Sequence, residues 1–268
     1  MEKKFNFKTR QIGFVNWLGA WTLLVREVSR FIKVYSQTIV APVVTTMMFF
    51  IIFSVVIKRG TFITDNITDF SQFLAAGLIM MAMLQNAFAN TSSSLVISKI
   101  QGNIVDILMP PLTAGELTFS YAIGGVVRGF VVGISVFFVI NWFVGFETFH
   151  FGFIIFYIFF SSLALSLLGI IGGIWSEKFD HIAAVTNFVV TPLTFLSGTF
   201  YSVHRLPEDW SYFAQFNPIF YMVDGFRYGL TGYADGNLLY GLVYILSLNI
   251  ILWLIAYSMF STGYRLKT

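Results

Sequence analysis

SKIQGNIVDILMPPLTAGE, residues 98-116, is an island of polarity between two long apolar runs. It carries a lysine, two carboxylates and a Pro-Pro pair, so it cannot lie in lipid, and the prolines forbid one unbroken helix through it. Stretches without Asp, Glu, Lys or Arg flank it along the whole chain, at 34-57, 70-98, 148-176, 181-204 and 236-264. A further run, 117-146, is interrupted only by Arg128. Each is at or beyond the roughly 20 residues a helix needs to cross a hydrocarbon core. With 57% hydrophobic residues, 11% charged residues and a mean hydropathy of +0.78, the composition is that of a polytopic membrane protein.

Helices are the expected form, because lipid-exposed backbone must satisfy its own hydrogen bonds and a barrel would need short alternating segments. The expectation is an all-α integral membrane fold of six transmembrane helices in a single domain over 1-268. No apolar h-region with a small-residue cleavage site follows Lys3, Lys4, Lys8 and Arg10, so no signal peptide is expected. Cysteine is absent, which removes disulfides and thiolate metal sites from consideration. Basic residues crowd the region up to Lys33 and return at Arg265 and Lys267. The positive-inside bias then places both termini in the cytoplasm, together with the 98-116 island and the turn at 176-180. Loops at 58-69, 144-151 and 205-235 face outward on the same count.

Residues 11-33 place Trp17, Trp21, Leu24, Val28 and Phe31 at helical spacing, with Arg26, Glu27, Arg30 and Lys33 recurring late in the segment. That pattern suits a helix lying in the cytoplasmic interface, apolar face in lipid and cations at the headgroups. A spanning helix that starts early is the competing reading. Pro42 is expected to kink the first span. Gln37, Thr38, Gln85, Asn86 and Asn90 are polar groups that a plain anchor would not need; they either pack helices together or line a cavity. Gly125 and Gly129 form a small-xxx-small pair for close helix approach, and Arg128 beside them is expected to snorkel or to be paired. Between Pro192 and Asp235 aromatic and polar residues alternate, which fits short helices dipping into the outer leaflet before the last span, with FNP and GFRYG as their starts and stops.

Chemistry is conspicuous by what is missing. No G-x-x-x-x-G-K-[ST] loop, H-E-x-x-H pair or G-x-S-x-G elbow occurs, and His150, His181 and His204 stand far apart. No metal ligands are assigned. Intramembrane acids and bases for a proton relay are also lacking, apart from Arg128, which disfavours an enzyme or an ion-driven carrier.

Four blocks carry a family likeness: VREVSRFIKVYSQTIVAPVVTTMMFFIIF (25-53), FLAAGLIMMAMLQNAFANTSSSLVISKIQGNIVDILMPPLTAGE (73-116), FDHIAAVTNFVVTPLTFLSGTFYSVHRLPEDW (179-210) and NPIFYMVDGFRYG (217-229). In content and order the chain resembles the permease subunits of ABC-2 type ATP-binding cassette transporters, in a bacterial inner-membrane group that includes exporters of nodulation factors, drugs and polysaccharides. The resemblance implies that the island is a coupling helix between spans 2 and 3, seated on a separate nucleotide-binding ATPase subunit. It implies a permease homodimer in the bacterial cytoplasmic membrane, surrounded by lipid, with ATP and Mg on the partner and no cofactor on this chain. Nucleic acid has no place in such a complex. Lys99, Gln101, Asn103, Asp106 and Glu116 would supply polar contacts to the ATPase, and Ile100, Ile104, Val105, Leu108 and Met109 an apolar face. Tyr35, Gln37, Gln85, Asn86, Asn90 and Phe200 are the candidates for the translocation path of an amphipathic lipid, glycan or drug. The alternative function is a carrier that works alone, ion-coupled or passive.

Overall fold

A computed structural model of the chain describes residues 13-58, 70-146 and 148-266. The basic residues Lys3, Lys4, Lys8 and Arg10, the expected outer loop from 59 to 69, and Lys267 lie outside the described residues. Among the described residues the elements are helical and no strand occurs. Five helical runs are long and apolar enough to cross a membrane: Ser36–Val55, Phe70–Ile100, Ala114–Val144, Phe151–Trp175 and Leu238–Thr262.

The first helix, α1 (Trp17–Ile32), is a separate element and not an early start of the next one. Asn16 caps it by accepting from Gly19 N, and a turn at Lys33 and Val34 ends it. Ala20, Leu23, Glu27 and Phe31 recur at helical spacing on its buried face, whereas Trp17, Leu18 and Trp21 are exposed. Phe31 therefore points into the protein, not into lipid.

A π-helical turn, Ser36–Val40, precedes α2 (Ala41–Lys58), whose second residue is Pro42. The same arrangement recurs in the expected fifth span. There α7 (Phe179–Val185, 7 residues) passes through a π-helical turn, Thr186–Val190 (5 residues), into α8 (Thr191–Phe195, 5 residues), whose second residue is Pro192. A proline donates no hydrogen bond and crowds the carbonyl four residues back, and a widened turn just before it relieves both problems. The apolar run at 181-204 thus holds helix only as far as Phe195, and its last residues form a turn.

At the centre stands α3 (Phe70–Ile100), which is buried over most of its length. It packs against α5 (Ala114–Val144) and α6 (Phe151–Trp175), with α2 on another side. Two of its hydroxyls are satisfied by carbonyls: Thr91 Oγ1 donates across to Ser166 O on α6 (2.8 Å), and Ser92 Oγ to Phe88 O one turn back (2.8 Å). The close approach is made possible by glycine, as the small-xxx-small pair predicts. A Cβ on Gly125 would collide with the Ser166 hydroxyl, and one on Gly129 would press on Met83 O at 3.1 Å.

Between α8 and the last helix, α11 (Leu238–Thr262), lie a turn at Gly198, a 3-10 turn (Val203–Arg205), and helices α9 (Glu208–Phe216) and α10 (Pro218–Thr231). α9 exposes Trp210, Tyr212, Phe213 and Phe216. α10 is instead enclosed by α3, α6 and α11. Asn217 starts it, accepting from Ile219 N (3.0 Å) with Pro218 at the first helical position. The expected stop at GFRYG does not occur: residues 225-229 lie inside the helix, where Gly225 faces the Tyr157 ring, and Gly232 at φ 74° ends it.

One buried ion network holds this segment on the bundle. Arg227 lies 3.9 Å from both Asp224 and Asp235, donates to Gly198 O (2.7 Å), and stacks over the Phe73 ring at 3.5 Å. Asp224 accepts from the backbone N–H of Asp235 and Gly236 (2.7 and 2.9 Å), and Asp235 from Ser202 Oγ and the Tyr233 hydroxyl (2.8 and 2.6 Å). Burial first, then the bond to Asp235, pushes the Tyr233 phenol up to about 12, so it stays a donor at neutral pH.

Two outcomes are expected. Gly125→Leu should lower the thermal midpoint of the detergent-solubilised protein, by an overpacking cost of about 1–3 kcal/mol or more. Arg227→Met leaves two buried carboxylates without their cation and should cost about 3–5 kcal/mol, read as a lower midpoint and faster proteolysis between 196 and 216.

Candidate functional site

The island closes one end of the bundle. Gly102, at φ 75°, turns the chain after α3, and α4 (Ile104–Leu108) follows as a single short helix. Ile104 and Ile107 are buried with Leu23, Leu95, Leu117 and Ile174, so α4 is pinned by its apolar side. Thr113 then begins α5 with a capping box: its hydroxyl accepts from Glu116 N (3.3 Å), and Glu116 accepts from Thr113 N (2.7 Å). The other Glu116 oxygen accepts from Asn16 N (2.5 Å), and Asn16 Nδ2 donates to Pro111 O (3.2 Å). One carboxylate therefore joins the starts of α1 and α5 beneath the island.

The far side is tied as well. Lys99 Nζ donates to Ile174 O and Ser176 O, both at 2.7 Å, which are carbonyls at the C-terminal end of α6. Arg265 reaches the same end, donating to Trp175 O (3.1 Å) with Glu177 at 3.6 Å.

These ties divide the expected contact set. Lys99, Ile104 and Glu116 are turned into the protein and position the island, and Leu108 is half-buried. Ile100, Gln101, Asn103, Val105, Asp106 and Met109 form the outward surface; Met109 is 77% exposed. Beside it lies a cleft of about 560 Å³ between α4 and the start of α1, with Arg26, Asp106, Trp17 and Leu112 among its walls.

The late charges of α1 also divide. Arg26 and Lys33 are exposed, as headgroup contacts would be. Glu27 is wholly buried, because its carboxylate accepts from Ser94 Oγ (2.8 Å) and from Arg30 (3.3 Å), and Gly124 leaves it room. Arg30 continues inward, donating to Asn90 O (2.7 Å) and Asn90 Oδ1 (3.0 Å).

The residues proposed for a path are brought only partly together. Gln37, Gln85 and Asn86 line a crevice of about 290 Å³ between α2 and α3, with Thr45 and Thr46. Arg128 is paired as expected, its guanidinium donating to Asn86 Oδ1 (3.0 Å). Asn90 is occupied by Arg30 and does not line the crevice. Phe200 packs among Phe49, Phe53 and Phe195, and Tyr35 is exposed on the surface.

Sequence reasoning missed the Arg227 network and the role of Asn16. Asp224 and Arg227, three residues apart in an otherwise apolar helix, were the available signal for the first. Asn16 gave none beyond its preference for helix starts.

The comparisons agree with the blocks quoted from the sequence. Residues 19–231 match the ABC-2 type transporter model. The inner membrane transport permease YadH of Escherichia coli K12 is 36% identical over 257 residues, which is 94% of this chain and 98% of that one. YadH of Shigella flexneri matches to the same extent. With its apolar helices and these relatives, the chain is a membrane permease that belongs to the ABC-2 type transporter family.

Proposed function

We propose that this chain is the transmembrane subunit of an ABC exporter, working as a homodimer in a bacterial inner membrane and driven by a separate ATPase subunit. The observation that carries the reading is the island: a rigid, outward-facing surface whose buried side is tied to α1, α5 and α6 at once. A lever needs this combination. Force applied at Val105, Asp106 and Met109 passes into three helices without first deforming a loop.

In this layout six segments cross the membrane, with 179-195 as the fifth despite its π-helical turn, and α9 and α10 form the re-entrant outer pair. The termini and the island face the cytoplasm, which fits the basic residues Arg26 and Arg265 at the island's end of the bundle. ATP and Mg²⁺ belong to the partner. The substrate would be an amphiphile moving along the polar crevice between α2 and α3, where Gln37, Gln85 and Asn86 supply neutral hydrogen-bonding groups in an otherwise apolar wall.

The test is coupling. With a candidate ATPase subunit from the same genome co-expressed, the wild-type permease should retain it through purification and stimulate its turnover. Asp106→Arg, or deletion of Gly102 to Met109, should leave membrane insertion intact while abolishing retention and stimulation. Wild-type stimulation in the deletion would sink the docking surface, and a permease that transports with no ATPase present would favour the stand-alone carrier instead.

A further inference from the structure

Where α1, α3 and α5 meet, two guanidiniums share one carboxylate. Arg128 sits in the middle of the 31-residue α5, and Arg30 enters from α1. Asn86 and Asn90, one turn apart on α3, receive the two guanidiniums on one ridge. Glu27 is the carboxylate beside Arg30. Arg128 has no acidic partner within ion-pair distance among the described residues, and its Nε is buried with no hydrogen bond. Arg30 Nε is unpartnered in the same way.

A guanidinium at this depth is costly to insert. A snorkelling arginine would reduce that cost by reaching water. Arg128 instead turns inward to Asn86, and Asn86 is itself in the wall of the crevice between α2 and α3. The remaining walls offer Gln37, Thr45, Thr46 and Gln85, which are neutral, so no carboxylate lining this crevice competes for the cation. α5 packs against α2 and against the π-helical turn, and Arg128 stands behind the crevice wall at Asn86 and remains partly accessible. A planar fork of donors with spare N–H groups, next to a neutral polar crevice, matches an oxyanion.

We propose that the crevice between α2 and α3 binds the oxyanion head group of an amphiphile, with Arg128 as its counter-ion. The substrate class is then an anionic amphiphile, not a neutral or cationic one. This rests on the reading of the crevice as part of the translocation path.

The purified full chain in detergent is titrated with phosphatidylglycerol, with phosphatidylcholine and with inorganic phosphate, and thermal midpoints are recorded. Phosphatidylglycerol should stabilise the wild type more than phosphatidylcholine does. Arg128→Gln should weaken that preference about ten-fold, Arg128→Lys should keep most of it, and the surface control Arg205→Gln, an exposed cation outside the crevice, should leave it unchanged. Should Arg128→Gln fail to fold, Asn86→Asp answers the question: an internal carboxylate would take up the guanidinium, removing the lipid preference while holding or raising the midpoint. Stabilisation by inorganic phosphate that depends on Arg128 would support the site and assign a free oxyanion as its ligand. An undiminished preference in Arg128→Gln or in Asn86→Asp would overturn the proposal. Because the assay contains no ATPase, its failure leaves the docking surface standing, and failure of ATPase docking leaves this preference intact.

Discussion

The enclosure of α3 on nearly all sides is the constraint on which the rest of the molecule depends. A helix surrounded by other helices has no water and little lipid to satisfy its polar groups, so every serine, threonine and asparagine along it must find a protein partner. Ser94 finds Glu27, Thr91 finds Ser166 O, and Asn86 and Asn90 find the two arginines. Each pairing fixes a neighbour: α1, α6 and α5 are located by what α3 requires of them. The glycines of α5 and α6 follow from the same demand, because those contacts form only if the backbones come close.

The ends of the bundle use different chemistry from its middle. At the island end a few charge-assisted hydrogen bonds join chain segments about a hundred residues apart, as Glu116 does with Asn16. At the opposite end the Arg227 network holds α10 to the turn at Gly198 and to the loop before α11. Both are polar knots over apolar packing. At Ser36–Val40 and Thr186–Val190 the regular hydrogen-bond ladder is interrupted, the kind of position at which helices bend.

Much of this was legible in the chain. Long apolar runs predicted five helices to within a few residues, since hydrophobic length and charge placement are one-dimensional properties. Gly125 and Gly129 announced close packing, and Arg128 announced a partner. Less legible was the fifth run: 181-204 is apolar throughout, yet helix stops at Phe195, because Gly198 and the turn that receives Arg227 compete for the remaining residues. GFRYG was misleading for a related reason. Glycine marks both helix ends and helix contacts, and only the Tyr157 ring opposite Gly225 shows which is meant.

The island shows the division most clearly. Its sequence established that residues 98-116 leave the apolar bundle, and the family likeness suggested what they meet. Composition could not separate the side chains that face outward from those that hold the island in place, since Lys99, Asp106 and Glu116 are equally polar as letters. Tertiary structure made that assignment: Lys99 lies near the end carbonyls of α6 and Glu116 near the start of α1, so both are consumed internally, and Asp106 is left facing out. Apolar length and charge are summed along a chain and can be read from it. Which polar group satisfies which depends on distances between segments far apart in sequence, and only the packed helices set those.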